Sequence, residues 1–388
     1  MEQFKRVISR KGTRSVKWDM AEELYKDKDV LPMWVADMDF QTPKAVTAAI
    51  KERVDHGIFG YTVPDDRVKQ QIVQWLQTRH DWSIDPEWIT YSPGVIPSLH
   101  MIIQSLTDIG DNVIIQTPVY PPFYSVVRDH GRHIIENPLI VEGNKYEIDF
   151  EDFEKKIKEN NVQLFILCNP HNPVGRVWTR EELNRLSSIC LKHDVRIIAD
   201  EIHADLIYSG HRHIPIASVS EDVSRKTITC MSPTKTFNLA GLQASFVVTA
   251  DKESKEKLDK QFKNQGMGML NTLGLTAMEA AYEHGEEWLE GLMTTLEENR
   301  DYVMERLHNE TAVRVFPAEG TYLLWLDCTG LEMKHSELKS FMQKQAKVGL
   351  NDGVSFGKAG TGFMRINIAA PRSTIEEGVS RIIEAARK

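Results

Sequence analysis

The sequence predicts an α/β fold, because short apolar runs rich in β-branched residues alternate with longer amphipathic segments between residues 45 and 285. Such alternation is typical of βαβ units whose parallel sheet is covered by helices on both faces. A length of 388 residues suits one large α/β body with an appended smaller lobe. With 41% hydrophobic and 27% charged residues, the composition is that of a globular protein.

Five strands are predicted where the apolar runs are bounded by turn residues. The helices between them are predicted from apolar residues at helical spacing, and Thr179-Arg-Glu-Glu182 has the spacing of a capping box before one of them. The predicted strands are residues 112–116, 164–168, 196–199, 227–230 and 245–249, and the predicted helices are residues 42–55, 67–79, 97–107, 150–159 and 180–193.

The pattern changes after about residue 285. A long charged helix is predicted over 286–308, a strand pair around 313–316 and 321–327, and a final helix over 373–387. We therefore predict a large domain at residues 45–285 and a small α+β domain at 286–388. Residues 1–44 are predicted to form an N-terminal arm that contributes to the small domain.

Charge and composition exclude several classes of function. The 47 Lys and Arg residues against 56 Asp and Glu give a net charge of −9, which repels nucleic-acid phosphates and anionic membranes. No apolar run approaches the ~20 residues that span a bilayer. The four cysteines lie far apart and indicate neither a disulfide framework nor a metal site, so a cytoplasmic protein is expected. The histidines of His211-Arg-His213, in a loop after Gly210, are predicted to form a solvated turn.

Three polar residues follow three successive predicted strands. Asn172 comes after the strand at 164–168, Asp200 after the strand at 196–199, and Lys235 after the strand at 227–230. Open α/β sheets bind their ligands at the carboxyl ends of such strands. Each residue alone has an ordinary explanation, as a loop residue, a cap or a turn residue, but their joint placement predicts an active site.

Several segments in this sequence resemble a known family. SPTKTFNLAGLQ, CNPHNPVGR, DEIHADL and FMRINIAAP resemble fold-type I pyridoxal-phosphate (PLP) enzymes of the aminotransferase class I/II superfamily. WVADMDF, HGIFGYT, SPGV, TPVYPPFY and LFILCNPHNPVGR resemble, more closely, the MalY/PatB family of carbon–sulfur β-lyases. The segments run from residue 34 to residue 371. The resemblance implies pyridoxal 5'-phosphate as cofactor and a mostly parallel seven-stranded sheet between helices.

The resemblance also implies roles around the cofactor ring. PLP needs a lysine for its Schiff base, and the same amine then removes the substrate α-proton; Lys235 matches that lysine. Asp200 matches the carboxylate that keeps the pyridine nitrogen protonated. Asn172 would bind the ring's phenolic oxygen and the substrate, and Tyr120 would stack on the ring.

The resemblance also implies which residues bind the cofactor phosphate. Backbone N–H groups of Gly94, Val95 and Ile96, at a predicted helix N-terminus, would bind the phosphate. Ser232 would add a hydroxyl, and Tyr61 would reach the phosphate of the neighbouring subunit, which implies a homodimer with composite active sites.

The substrate is expected to be an α-amino acid. Arg365 matches the arginine that binds the α-carboxylate through two parallel hydrogen bonds, and the backbone near Ala36 would close the other side of that group. His203 stands where most of the superfamily has a tyrosine, and Gln243 where it has a phosphate-binding arginine. Both departures agree with the β-lyase branch.

The implied reaction is α,β-elimination of an L-cysteine thioether, such as cystathionine, to pyruvate, ammonia and a thiol. Lys235 would remove the α-proton, and Tyr120 or Lys235 could assist departure of the thiolate. Two alternatives stay open. One is a broad-specificity PLP-dependent aminotransferase. The other is a metabolite-responsive partner of a transcription regulator.

Overall fold

The computed structural model of the chain describes residues 2–387. Within that range the strands are β1 (Leu31–Pro32), β2 (Ile89–Ser92), β3 (Asn112–Thr117), β4 (His133–Pro138), β5 (Ile140–Glu142), β6 (Lys145–Glu147), β7 (Val162–Cys168), β8 (Arg196–Asp200), β9 (Thr227–Met231), β10 (Ser245–Thr249), β11 (Arg314–Val315), β12 (Leu323–Asp327), β13 (Val348–Gly349), β14 (Asn351–Asp352) and β15 (Phe363–Asn367). The α-helices are α1 (Val16–Asp19), α2 (Ala21–Tyr25), α3 (Lys44–His56), α4 (Asp66–His80), α5 (Val95–Leu106), α6 (Pro122–Arg128), α7 (Phe150–Glu159), α8 (Arg180–Lys192), α9 (Glu221–Lys226), α10 (Pro233–Thr236), α11 (Lys252–Asn264), α12 (Thr272–His284), α13 (Glu286–Glu310), α14 (His335–Ser340) and α15 (Arg372–Ala386).

A seven-stranded sheet forms the centre of the fold, in the order β2-β10-β9-β8-β7-β3-β4. Strands β9, β8, β7, β3 and β4 are parallel neighbours, whereas β10 runs antiparallel to both β9 and β2. The α/β class and the mostly parallel seven-stranded sheet are therefore confirmed.

The sheet is buried on both faces, which explains its continuously apolar strands. Along β7, Phe165 and Leu167 pack with helices α7 and α8, whereas Leu164 and Ile166 pack with α5, α6 and α11 on the opposite face. Successive side chains of a strand point to opposite faces, so the part of a strand that is covered on both sides is apolar at consecutive positions, as from Leu164 to Cys168.

The five predicted strands all occur in this sheet, with ends that differ from the prediction by at most a few residues. Helix α8 begins at a complete capping box, in which Thr179 and Glu182 each bond the other's backbone N–H. The strands β2 and β4 were not predicted. Both contain polar residues, and β4 has exposed positions, so neither shows the fully apolar pattern of a central strand.

The carboxyl ends of β7, β8 and β9 lie side by side. Cys168, at the end of β7, is paired in register with Asp200 at the end of β8, and Asp200 is in turn paired with Cys230 in β9. The loops that carry Asn172, Asp200 and Lys235 consequently emerge from one edge of the sheet, as the sequence predicted.

A second, antiparallel sheet of order β11-β12-β15-β14 is formed by the C-terminal part of the chain. Its strand β15 carries Arg365, which is paired in register with Trp325 on β12 and with Asn351 on β14. The N-terminal segment joins this part of the chain because β1 pairs with β13. The domain boundaries at residues 44 and 285 stay a prediction.

The prediction for His211-Arg-His213 was wrong at one of its histidines. His211 is exposed, but His213 is buried, and its Nε2 lies 2.9 Å from Glu201 Oε2. A partner distant in sequence thus removes from water a side chain that local composition placed in a solvated turn. Within residues 2–387 there is no cluster of three or more side chains suited to hold a metal ion. Nor does that part of the chain contain a helix with the length and apolar character needed to cross a membrane.

Candidate active site

A cavity of about 200 Å³ lies at the carboxyl edge of the central sheet. Nine residues predicted for the site line it, together with three that were not predicted. The predicted ones are Ala36, Gly94, Val95, Ile96, Tyr120, Asn172, Asp200, His203 and Lys235, and the others are Pro97, Cys168 and Ile202.

Lys235 lies in α10, directly after β9, and its side chain is half-buried. Its Nζ donates a hydrogen bond to the carbonyl oxygen of Ala36. Loss of hydration, followed by the nearby positive charge of Arg365, lowers the pKa of the Lys235 amine to about 8. About a tenth of this amine is therefore unprotonated at pH 7, against less than a thousandth for an ordinary lysine, and this form can act as a nucleophile or base.

Asp200 is buried, with 4% of its surface exposed, and its Oδ1 accepts a hydrogen bond from Ile202 N at 3.2 Å. Burial raises the pKa of its carboxyl to about 7, although Lys235 and the Ile202 N–H act in the opposite direction. A buried carboxylate with so little hydrogen bonding would be stabilised by a cationic N–H group in the cavity. A protonated pyridine nitrogen is such a group.

Arg365, on β15, is hydrogen-bonded to Asn172, which lines the cavity. The Nη1 of Arg365 donates to Asn172 Oδ1 at 2.9 Å, and its Nη2 donates to Asn351 Oδ1 at 2.6 Å and to Trp34 O at 3.2 Å. Its Nε has no hydrogen-bond partner among the described residues. Burial lowers the pKa of the guanidinium to about 10, so Arg365 is still a cation near neutral pH.

Helix α5 points its N-terminus into the cavity. Gly94 is its N-cap, and Val95 and Ile96 are its first residues. The first N–H groups of a helix have no partner within it, and the helix dipole makes this end positive. The arrangement suits a phosphate group.

Tyr120 and His203, the two residues predicted to lie beside the cofactor ring, also line the cavity. Burial, followed by the charge of Asp200, raises the pKa of the Tyr120 hydroxyl. Burial, followed by the charge of Lys235, lowers the pKa of His203 to about 3, so its imidazole is neutral. Its Nδ1 has no hydrogen-bond partner within residues 2–387. Its ring packs against the ring of Tyr322 in a T-shaped arrangement, with 5.8 Å between the ring centroids.

Besides Arg365, two predicted residues are not among those that line this cavity. Ser232 caps α10; its Oγ donates to Ala244 O at 2.8 Å and lies 2.7 Å from Thr234 Oγ1. Tyr61 is 95% exposed, in the segment between α3 and α4. Their predicted phosphate contacts stay predictions.

The segment of residues 34–39 contributes Ala36 to the lining of the cavity. Asn367 Nδ2 donates to the carbonyl oxygens of Val35 and Asp37, at 2.6 Å each. The Ala36 carbonyl between them accepts from Tyr322 Oη at 2.9 Å as well as from Lys235. The predicted position of Ala36 beside the site thus results from hydrogen bonds to β15 and to the residue preceding β12.

Sequence reasoning missed the Trp34 carbonyl, Asn351 and Tyr322, which contact the predicted residues. Asn351 reaches Arg365 only because β14 pairs with β15, and Tyr322 reaches Ala36 only because the N-terminal segment lies against the C-terminal sheet. A correct prediction of that antiparallel pairing could have found Asn351; no local signal marks Tyr322.

Residues 28–382 match the sequence family described as aminotransferase class I and II. The chain belongs to this family. Cystathionine beta-lyase PatB of Bacillus subtilis (strain 168) is a relative 47% identical over 380 residues, which cover 98% of each chain. This chain is therefore a fold-type I PLP enzyme of the aminotransferase class I and II family. Its resemblance to the MalY/PatB family is confirmed.

Solved structures agree with this assignment. A PLP-bound protein of Clostridium difficile 630, named as a candidate aminotransferase, is 47% identical, with a TM-score of 0.97 and coverage of 99% of each chain. The PLP-bound C-S lyase from Staphylococcus hominis is 34% identical, with a TM-score of 0.93 and coverage of 99% of this chain and 98% of that one. The predicted fold type is confirmed over the whole length of this aminotransferase-family chain.

Proposed function

We propose that the chain is a PLP-dependent cysteine-S-conjugate β-lyase. It converts an L-cysteine thioether such as cystathionine, with water, to pyruvate, ammonia and a thiol. The proposal is carried by one small cavity that Asp200 and Lys235 line together, with Arg365 hydrogen-bonded to Asn172 in the same lining. The names of the PatB cystathionine beta-lyase and the Staphylococcus hominis C-S lyase support carbon–sulfur cleavage as the reaction.

The chemistry of the site fits PLP. Asp200 would hold the proton of the ring nitrogen, since burial leaves its carboxylate in need of a cationic partner. Asn172 would meet the phenolic oxygen, Tyr120 the ring face, and the N-terminus of α5 the phosphate. When bound, PLP supplies an electron-withdrawing ring that stabilises negative charge at the substrate Cα.

Three residues of the chain then act on the substrate in different ways. Arg365 binds the α-carboxylate and so fixes which bond of Cα faces Lys235. Lys235, with a pKa of about 8, accepts the α-proton. Tyr120 has a pKa above its ordinary value, so its hydroxyl keeps its proton near neutral pH and can donate it to the departing thiolate.

We further propose a cytoplasmic homodimer whose active sites are completed by Tyr61 of the second copy. Support comes from an apolar patch formed by Ile58, Phe59, Tyr61 and Val63, whose exposed fractions lie between 56% and 95%. So many exposed apolar side chains in one short segment are typical of an interaction surface. The cytoplasmic location is supported by Cys168, Cys190, Cys230 and Cys328, which are all free.

The test follows pyruvate and free thiol together when PLP-loaded protein is mixed with cystathionine or with an S-alkylcysteine. We expect equal amounts of the two products, and their loss by a factor of about 10³ or more in Lys235→Ala. Lys252→Ala, which changes a lysine that is 90% exposed, is the matched control and should retain full activity.

A broad-specificity aminotransferase is the second candidate, because the Clostridium difficile relative is named as a candidate aminotransferase. It would convert bound PLP to the amine form and transfer the amino group to a 2-oxo acid, with neither thiol nor pyruvate released from cystathionine. That result would overturn the lyase proposal.

A further inference from the structure

Arg365 is a buried cation whose partners within residues 2–387 are all neutral. Only 4% of its surface is exposed, and its hydrogen-bond acceptors are the two amide oxygens of Asn172 and Asn351 and the carbonyl oxygen of Trp34. The centroid of the Phe356 ring lies 4.9 Å from the guanidinium carbon of Arg365. Buried charges are ordinarily paired, so this arrangement leaves the cation to be neutralised by a ligand.

We infer that Asn351 is a positioning residue for substrate binding: it holds the Arg365 guanidinium in place with a neutral acceptor, so that the substrate carboxylate is the counter-ion of Arg365. The inference rests on the proposed function for the identity of that carboxylate. Asn351 itself does not touch the reacting atoms; it acts through Arg365.

The register of the small sheet fixes this contact. Asn351 on β14 is paired with Arg365 on β15, and the bond from Nη2 to Asn351 Oδ1 is 2.6 Å long. Asn172 holds Nη1 from the opposite side, at 2.9 Å. Two amides thus hold the two terminal nitrogens of the guanidinium and fix its plane, while Nε has no hydrogen-bond partner among residues 2–387.

The carboxylate next in sequence is kept away from Arg365. Asp352 follows Asn351, and successive side chains of a strand point to opposite faces. Asp352 Oδ1 lies 2.6 Å from His335 Nε2 and accepts from Val354 N at 3.1 Å. The strand therefore carries one amide and one carboxylate side by side, and the amide is the one that faces the arginine.

The decisive substitution is Asn351→Asp, because Asp has nearly the shape of Asn and adds one negative charge. It would give Arg365 an internal counter-ion and oppose entry of a second carboxylate. We expect KM for an S-alkylcysteine to rise at least about 100-fold, with kcat within about threefold of the unaltered enzyme. Asn351→Ala, which removes the acceptor without adding charge, should raise KM about tenfold.

A binding measurement separates this inference from the proposed reaction. The probe is 3-(methylthio)propionate, a carboxylate that lacks the α-amino group and cannot react, titrated calorimetrically into PLP-loaded protein. We expect Asn351→Asp to weaken its binding at least tenfold. Asn264→Asp, an exposed Asn near the end of α11, adds the same charge elsewhere and should leave binding unchanged.

Each outcome decides the question. Weakened binding in Asn351→Asp, with a far-UV circular dichroism spectrum like that of the unaltered protein, supports the inference even if no lyase activity is found. Unchanged KM and unchanged probe binding in Asn351→Asp would overturn it while leaving the lyase proposal intact. If Asn351→Asp does not fold, a change in KM for Asn351→Ala of less than about twofold overturns it.

Discussion

Asp200 is expected to destabilise the cofactor-free protein, since burial raises the pKa of its carboxyl from 3.8 to about 7. The folded state binds this proton more tightly than the unfolded state does, so the free energy of unfolding falls as pH rises from about 4 to about 7 and is level above that. Asp200→Asn should therefore stabilise the cofactor-free chain at pH 8 by up to about 4 kcal/mol, and by little at pH 4.

Urea unfolding of the cofactor-free protein at several pH values measures this difference. The control is Asp222→Asn, at an exposed aspartate, whose stability should equal that of the unaltered protein at every pH. The same Asp200→Asn change should weaken PLP retention and lower activity, because the amide cannot pair with a cationic ring nitrogen. Equal stability of Asp200→Asn and the unaltered protein at pH 8 would contradict the burial argument.

Local sequence could predict the residues whose position depends on a single strand end. Asn172, Asp200 and Lys235 each follow a buried strand, so the alignment of parallel strands brings them together. Asn351 contacts Arg365 only through the pairing of β14 with β15, which was not predicted, and Tyr322 contacts Ala36 from a distant part of the chain, without any nearby signal in the sequence.

At the scale of elements, the N-terminal segment is attached by a buried group of charges around Asp39. Lys17 is 1% exposed, and its Nζ lies 2.7 Å from Asp39 Oδ2. Arg10 Nη1 and Trp18 Nε1 bind Asp39 Oδ1 at 2.8 and 2.9 Å. This attachment lies three residues from Ala36 and so supports the segment that contributes Ala36 to the cavity.

Asp39→Asn should lower the free energy of unfolding by about 3 kcal/mol, because it leaves the buried charge of Lys17 without its counter-ion. It should also lower lyase activity, by loosening the segment that carries Ala36. Loss of hydration would raise the pKa of Asp39, but the charge and hydrogen bond of Lys17, with the donors Trp18 and Arg10, outweigh it, and the pKa lies below 3.8. The loss should thus stay constant from pH 8 to about pH 5 and shrink only below about pH 4.

Denaturant unfolding at pH 8, 6.5 and 5 measures this loss. The exposed pair of Glu2 and Lys5 offers a control, and Glu2→Gln should change nothing measurable because water already screens that pair. An Asp39→Asn variant as stable as the unaltered protein would show that this buried ion pair does not anchor the segment.

The elements differ in how well their sequence predicts them. Strand β10 and helix α7 have the predicted ends, since an apolar run or a clear helical pattern ends at a turn residue. Strands β2 and β4 depend on the neighbours they pair with, because their own residues include polar and exposed positions. Edge positions therefore could not be predicted from apolar runs alone.

For the whole molecule, the proposed composite site makes a prediction about mixed subunits. Lys235 lines the cavity of its own chain, whereas Tyr61 is 95% exposed and does not line that cavity. If Tyr61 contributes to the active site of the second copy, each site contains Lys235 of one subunit and Tyr61 of the other. Lys235→Ala and Tyr61→Ala then remove residues that come from different subunits. A dimer with one subunit of each kind would then hold one site with both residues intact and one with neither.

We expect equal amounts of the two variants, unfolded and refolded together with PLP, to regain about a quarter of the activity of the unaltered enzyme, since half of the random dimers are mixed and half of their sites are intact. Each variant refolded alone measures the background. In the matched control, Lys235→Ala is mixed with Tyr25→Phe instead of Tyr61→Ala. Tyr25→Phe alters a buried tyrosine away from the exposed patch. That variant should be active alone, and mixing it with Lys235→Ala should add nothing beyond its own contribution. Because exchange between subunits is the only source of an intact site, failure of the mixed sample to exceed the background, while sedimentation shows mixed dimers, would place Tyr61 outside the catalytic unit.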